Sequence, residues 1–185
     1  MTCLTLMRRT VYGSLLLGVS AFASGPLAPG DPAPDFNLTS QSGSQVSLRS
    51  YKGSWVILFF FRDHSSADVQ LEARNFQRDL AKYDAFHAVI VGIGSTSPES
   101  NRNWADMNGL TFTLLSDPDQ KVANAYTVQA DGPSSSGDGG IYEMFVATDG
   151  RVKLPRIVTY DFDGESGNLL ACLQYFKDQT ERTGA

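Results

Sequence analysis

The sequence predicts an α/β fold with a mixed central β-sheet and helices on both faces, and three consecutive segments carry this prediction. A continuous apolar run from Trp55 to Phe61 is too short for a typical helix, so it indicates a strand buried on both faces. A segment with apolar residues at helical spacing follows, and then a second apolar strand, Ala88 to Ile93. This order predicts a βαβ unit with two parallel strands in one sheet.

Residue spacing and capping residues predict two further elements and describe the helix of the βαβ unit. Val46 to Leu48 predicts a short edge strand ahead of the apolar run. Ser97 predicts the N-cap of a helix that has proline at its first position and ends at Gly109. The helix inside the βαβ unit is amphipathic, because its apolar residues recur at intervals of three and four: Val69, Ala73, Phe76, Leu80 and Tyr83.

The second half of the chain supplies the rest of the predicted sheet. Thr111 to Leu115 predicts a strand, and a short helix is expected from Asp117 to Tyr126. The Gly- and Ser-rich stretch from Gln129 to Gly140 predicts a surface loop. The last elements are the two strands of a hairpin and a final helix: Met144 to Ala147, Val152 to Val158, and Gly167 to Asp178.

Composition and charge restrict the classes of function. The chain has 185 residues, of which 42% are hydrophobic, and a domain of this size buries enough apolar surface to fold without a metal or disulfides. We expect one domain over residues 26–185. The formal net charge is -5 and no block of lysine or arginine occurs, so a role in nucleic-acid binding is disfavoured.

Residues 1–25 have the layout of an export signal. They contain no acidic residue, an arginine pair at Arg8 and Arg9, and an apolar stretch from Val11 to Ala23 that ends in small residues. The pair resembles a twin-arginine signal or the thylakoid-transfer part of a plastid import sequence, and an ordinary secretory signal is the alternative. A spanning helix needs about 20 apolar residues, so the stretch is too short for a comfortable anchor. We predict an exported protein of the thylakoid lumen or the periplasm, without a transmembrane span in its mature form.

A family resemblance extends over nearly all of the chain after residue 25. The segments that carry it are Pro32 to Phe36, Trp55 to Phe61, Glu72 to Leu80, Gly92 to Ser95, Ser97 to Ser100, Phe112 to Val122 and Phe145 to Val152. They resemble the AhpC/TSA peroxiredoxins, specifically the peroxiredoxin Q or bacterioferritin comigratory protein branch. The resemblance implies a thioredoxin-like fold and, where the active site is intact, a thiol peroxidase.

The catalytic motif of that family is degenerate in this chain. Similar enzymes carry Pro-x-x-x-Thr-x-x-Cys on the loop and first helical turn after the second strand, and the cysteine attacks the peroxide. When the chains are aligned on the Glu72 to Leu80 helix, the proline, threonine and cysteine fall on Arg62, Ser66 and Val69. Valine has no lone pair for this attack, and residues 62–77 contain no cysteine. The resemblance thus implies that the peroxidatic cysteine is missing.

Two more positions depart from the family pattern. The arginine that holds the reactive thiolate in similar enzymes corresponds to Ile141 here. The resolving cysteine of some peroxiredoxin Q proteins corresponds to Arg74. We therefore expect a degenerate active site, whose altered positions are Arg62, Ser66, Val69, Arg74 and Ile141.

The remaining reactive groups offer two alternatives. Cys172 shares one helical face with apolar residues, which predicts a buried core thiol. Near the degenerate motif, His64 lies between Asp63 and Asp68 in a polar cluster that could bind a metal or act as a base. One histidine with two aspartates is a weak pattern for a metal site, so we predict neither a metal nor another cofactor.

Three functions of different class follow. The favoured one is a binding or structural subunit without enzymatic activity, in an exported or thylakoid-lumen assembly with a protein partner. In a photosynthetic source, the lumenal side of a photosystem is the expected partner surface. The alternatives are an enzyme with altered chemistry at His64, and a thiol peroxidase of the peroxiredoxin Q type that has unconventional or residual activity through Cys172.

Overall fold

A computed structural model of the chain describes residues 27–126, 142–146, 149–158 and 165–183. Seven strands lie in these ranges: β1 Asn37–Ser40, β2 Gln45–Ser47, β3 Trp55–Phe61, β4 Ala88–Gly94, β5 Thr113–Ser116, β6 Tyr142–Val146 and β7 Val152–Val158. The helices are α1 Ala67–Asp84, α2 Pro98–Asn108, α3 Lys121–Ala125 and α4 Glu165–Thr183, and one 3-10 turn spans Leu48–Tyr51.

The strands form one mixed sheet in the order β2-β1-β5-β4-β3-β6-β7. The central strands β3, β4 and β5 are parallel, whereas β1, β2, β6 and β7 pair antiparallel with their neighbours. Parallel strands need helical crossovers, and α1 connects β3 to β4 while α2 connects β4 to β5. The predicted α/β class, the mixed sheet and the βαβ unit are confirmed.

The central strand β3 is buried on both faces, as its apolar run predicts. Ile57, Phe59 and Phe61 pack into a core with side chains of α1, α2 and α4. Their neighbours in the strand point to the opposite face, because successive side chains of a strand alternate. There Leu58 and Phe60 pack in a second core with Tyr126, which directly follows α3. Helices therefore cover both faces of the sheet.

Two glycines of β4 make room for the aromatic rings of β3. A Cβ atom at Gly92 would lie 2.6 Å from Cε1 of Phe59, and one at Gly94 would overlap the ring of Phe61. Both rings stack on each other with centroids 5.3 Å apart. The absent side chains thus let an aromatic layer extend along β3 to the end of the strand, where the candidate site begins.

Several predicted boundaries are wrong by a few residues. The helix predicted from Asp117 begins at Lys121 instead, because Gln120 adopts a left-handed backbone conformation with φ 54°. Asp117 still acts at this helix: its carboxylate accepts the backbone N–H groups of Val122 and Ala123. Other shifts are small: β2 ends at Ser47, β5 begins at Thr113, β6 starts at Tyr142, and α4 extends beyond the predicted range at both ends.

Two predicted features lie outside the described residues. They are the signal of residues 1–25 and the loop from Gln129 to Gly140. Among the helices that the structure describes, none has the length and apolar character required to cross a membrane.

Candidate functional site

The positions aligned with the family's catalytic motif lie in the loop of residues 62–66, which joins β3 to α1 at one edge of the sheet, and in the first turn of α1. The adjacent parallel strand β4 ends at the same edge, where the Ser95 hydroxyl donates a hydrogen bond to the Arg62 carbonyl oxygen at 2.6 Å. The carboxyl ends of parallel strands are the usual location of ligand and catalytic sites in α/β sheets. The topology thus places the motif where a site is expected.

Val69 lies in the first turn of α1 and is buried in the core, with 1% of its surface exposed. Ser66 is the N-cap residue of the helix, but its side chain makes no capping hydrogen bond. Arg62 and Arg74 are exposed on either side of this turn. Ile141 lies outside the described residues. The first turn of α1 therefore presents a buried aliphatic group at the aligned position of the nucleophile.

The imidazole of His64 is held by α2 rather than by its own loop. The ring stacks on Trp104 with centroids 4.3 Å apart and an interplanar angle of 18°, and it also contacts Phe61. Its Nε2 atom lies 2.8 Å from Oδ1 of Asn101, which also accepts the hydroxyl hydrogen of Thr96 at 2.6 Å. The contacts with Asn101 and Trp104 join the loop to a helix at least 37 residues later in the chain, so tertiary packing fixes the orientation of the ring.

The environment of His64 favours its neutral form. Burial lowers the pKa of the imidazole, while the hydrogen bond to Asn101 and the negative charge of Asp63 oppose this effect. Oδ1 of Asn101 can only accept, so Nε2 of the neutral ring carries the hydrogen and Nδ1 carries the lone pair. The side chain is therefore able to take up a proton at Nδ1.

The predicted polar cluster of Asp63, His64 and Asp68 does not converge on one point. The carboxylate of Asp63 accepts hydrogen bonds from the backbone N–H and the hydroxyl of Ser65, and these bonds lower the pKa of Asp63. Asp68 is exposed in the first turn of α1. Within the described ranges, no three His, Cys, Asp or Glu side chains are grouped to hold a metal ion. His64 is left as the candidate base of this loop.

Asn101 and Trp104 belong to the site although sequence reasoning did not select them. Both are buried, and Nδ2 of Asn101 and Nε1 of Trp104 have no hydrogen-bond partner among the described residues. Their spacing of three on α2 indicates a shared helix face. No local pattern indicates that this face meets a loop 37 residues earlier in the chain.

Cys172, the one cysteine within the described residues, is fully buried in α4. It packs in the core that α1, α2 and α4 form on one face of the sheet. The prediction of a core thiol is confirmed. A reactive cysteine needs an accessible thiolate, so this environment disfavours attack on a dissolved peroxide.

The sheet order and the helices that cover it define the thioredoxin-like fold of peroxiredoxins. The AhpC/TSA family model matches residues 29–153, so the chain belongs to the AhpC/TSA family. A solved structure of peroxidoxin BcpB from Mycobacterium tuberculosis has a TM-score of 0.71 at 24% identity, and the match covers 80% of this chain and 97% of the other. A PrxQ mutant from Xylella fastidiosa has a TM-score of 0.74 at 18% identity, over 83% and 99% of the two chains.

Curated relatives carry the names that the resemblance predicts. A putative peroxiredoxin of Mycobacterium tuberculosis is 39% identical over 100 residues, which are 54% of this chain and 64% of the relative. Peroxiredoxin Bcp of Escherichia coli is 31% identical over 103 residues, which are 56% and 66% of the two chains. The match thus covers slightly less than two thirds of the length of each of these relatives. The peroxiredoxin Q resemblance is confirmed at the level of the family and of the fold.

Proposed function

We propose that this chain is a peroxiredoxin-fold binding protein that carries out no cysteine-based peroxide reduction at the family's usual position. The observation that carries the proposal is Val69, buried at 1% exposure in the first turn of α1. Peroxide reduction requires a thiolate that attacks the O–O bond, and an isopropyl group supplies neither a lone pair nor a site for oxidation. The names of the relatives favour peroxidase activity, so the proposal is a direct alternative to inheritance of that activity.

The position of Cys172 supports the same proposal. Once the export signal with Cys3 is removed, Cys172 is the only thiol of the chain. It is fully buried among apolar side chains, whereas a reactive thiol needs an accessible position. A residual peroxidase would need this thiol to become exposed.

A second candidate function is acid–base chemistry at His64. The supporting observation is the fixed neutral imidazole, whose Nε2 atom is bound to Asn101 and whose Nδ1 atom carries the lone pair. A positioned base with a pKa near the working pH contributes to many reactions. No second catalytic group converges on His64 among the described residues, so we rank this candidate below the binding role.

The proposed setting is an exported assembly. Arg8, Arg9 and the apolar stretch after them support export, and the thylakoid lumen or the periplasm is the proposed compartment. A protein is the proposed partner, and in a photosynthetic source it would be a membrane photosynthetic complex on its lumenal side. Fractionation of the source cells, with an antibody against the mature chain, tests the compartment. Detection of the chain only in the cytoplasm or stroma would contradict it.

Peroxide turnover by the purified mature protein tests the proposed function. With excess dithiothreitol, we expect consumption of hydrogen peroxide and of cumene hydroperoxide at the rate of the protein-free control. The matched control is Cys172→Ser, which removes the only thiol and should behave identically. Turnover by the wild type that this substitution abolishes would overturn the proposal. Turnover that survives Cys172→Ser but is lost in His64→Gln would favour the second candidate instead.

Restoration of the missing groups is a complementary prediction. Val69→Cys should fold, because both side chains are small and apolar, and it should restore little peroxidase activity while Ile141 occupies the arginine position. The double variant Val69→Cys/Ile141→Arg should be the more active of the two. The measurement is the rate of peroxide consumption with excess dithiothreitol, with oxidation at residue 69 followed by mass spectrometry. Rapid turnover by the single variant would refute the role assigned to position 141.

A further inference from the structure

The exposed side of α1 carries a stripe of positive charge, although the whole chain has a net charge of -5. The stripe consists of Arg74, Arg78 and Lys82, which are all exposed. They are spaced by four residues, so successive side chains lie about 6 Å apart along the axis and span about 80° of the helix circumference. We call these three residues the basic stripe. It faces away from the core that the apolar side of α1 covers.

A buried carboxylate orders two of these cations. Asp79 is 4% exposed, and its two oxygens lie 2.6 Å from Nη2 of Arg78 and 2.7 Å from Nζ of Lys82. Arg78 also donates a hydrogen bond to Oδ1 of Asn75 at 2.9 Å. Two cations on one carboxylate leave a net positive charge, and their fixed positions reduce the entropy that a partner must remove on binding.

The third cation is available for a partner. Arg74 is exposed and forms no ion pair with any residue of the described ranges. The exposed surface of α1 beside these cations carries the short side chains of Ala67 and Ala81, which would not obstruct a partner. Asp68 and Asp84 are exposed near the two ends of the helix, so negative charge borders the stripe in both directions. An anionic partner is thereby restricted to the length between them.

The shape and chemistry of this face favour a protein over a lipid surface. A helix that lies in a membrane interface inserts bulky apolar side chains, but those of α1, such as Phe76 and Tyr83, are buried in the core. The exposed side offers arginine, lysine and alanine instead. An acidic helix with carboxylates every fourth residue has the same repeat of about 6 Å, so its charges match the basic stripe one to one.

We propose that the basic stripe is the docking surface for an acidic helix of a partner protein. The inference rests on the proposed function, because it names the surface that a binding subunit of this fold would use. Its contacts are charge-assisted hydrogen bonds from Arg74, Arg78 and Lys82 to carboxylates of the partner. Such contacts at an exposed surface are weakened by salt.

A synthetic helix tests the inference. The probe is a fluorescein-labelled, alanine-based peptide with glutamate at every fourth position, and binding to the mature protein is followed by fluorescence anisotropy. Arg74→Glu should weaken binding about five- to tenfold, since it removes an attraction and adds a repulsion. This substitution leaves the contacts of Asp79 intact, and circular dichroism verifies the fold. The matched control is Lys52→Glu, which makes the same change of charge near the opposite face of the sheet, beside Leu48 and Val56. It should alter binding less than twofold.

Four outcomes would overturn the inference. The first is that the probe does not bind, and the second is that Arg74→Glu and Lys52→Glu weaken binding equally. The third is that a peptide with the same number of glutamates distributed around the helix binds as tightly as the probe. The fourth is that the basic stripe binds phosphatidylserine vesicles and not the peptide. Peroxide turnover measured on the same samples separates the two proposals. If the protein neither consumes peroxide nor binds the peptide, only the basic-stripe proposal is rejected. If it consumes peroxide through a cysteine, the proposed function is rejected whether or not the peptide binds.

Discussion

Two neighbouring junctions between a strand and a helix are stabilised in different ways. At the β4–α2 junction, the Ser97 hydroxyl accepts the backbone N–H of Ser100 at 3.1 Å, and proline occupies the first helical position. At the β3–α1 junction, the corresponding Ser66 makes no side-chain cap. The loop before it is held locally by hydrogen bonds of Ser65 to Asp63 and of Gln70 Nε2 to the His64 carbonyl oxygen. The contacts of His64 with Asn101 and Trp104 then attach it to α2.

The difference shows at which junction the side chains can vary without the loss of a helix cap. A junction that is capped within four residues depends less on the side chains that pack against it. The β3–α1 junction depends on side chains of α2, so its own residues are released from capping and determine what the loop offers to a ligand or partner. In this chain the loop offers an oriented imidazole, and the helix that follows has a buried Val69 in its first turn. Loops on a rigid scaffold commonly diverge in function in this manner.

The largest effect is expected for Trp104→Ala, which removes the support of the β3–α1 junction. Trp104 is 4% exposed and contacts the rings of His64 and Phe61, so truncation leaves a cavity at this edge of the sheet. We expect a loss of about 3–5 kcal/mol in the free energy of unfolding, measured by urea denaturation. Trp104→Phe keeps an aromatic ring and should lose clearly less. A loss below about 1 kcal/mol for the alanine variant would mean that α2 does not support the loop.

The next effect is expected for Gly94→Ala in β4. The added methyl group would overlap the ring of Phe61, which contacts both His64 and Trp104. Overpacking of this kind costs about 1–3 kcal/mol, and thermal unfolding followed by circular dichroism measures it. Gly167→Ala in α4 is the matched control, since nothing lies within 4 Å of the new atom and alanine favours a helix. Equal destabilisation by both variants would argue against the steric explanation.

The two serines provide the direct test of the comparison. Ser97→Ala removes a capping hydrogen bond and should cost about 1 kcal/mol of stability. Ser66→Ala removes a hydroxyl that caps nothing, so the free energy of unfolding should stay within about 0.5 kcal/mol of the wild type. Denaturation of both variants under identical conditions is sufficient. Equal losses would contradict the statement that only the α2 junction is locally capped.

The smallest effect is the pH dependence that His64 contributes. Burial lowers the pKa of His64 in the folded protein, so the unfolded chain takes up the proton first as the pH falls. The stability is then complete above the unfolded pKa of about 6.5 and decreases as the pH falls from there through the lower folded pKa. His64→Gln should remove this part of the decrease between pH 7.5 and pH 5.5. The control His87→Gln changes an exposed histidine and should retain it.

Most of the fold could be predicted because its signals are local. The apolar run of β3, the spacing in α1 and the limits of α2 at Ser97 and Gly109 correspond to the observed elements. The predicted start of α3 at Asp117 differs from the observed start at Lys121 because of local backbone conformation. Asp117 does cap that helix, but from a distance of five and six residues, because the chain passes through a left-handed Gln120 in between. A capping residue normally lies next to its helix, so the pattern predicts a start four residues before the observed one.

The sequence by itself determined most of the elements, though not β1, together with the buried strand and the absence of cysteine from residues 62–77. Periodicity, caps and residue identity act over a few positions, so these features are local. Only the tertiary structure decided that His64 meets Asn101 and Trp104, and that Asp79 beside the basic stripe is buried. Such contacts depend on which strands lie side by side and how the helices pack over them. That order results from the free energy of the whole core, and no short stretch of the chain encodes it.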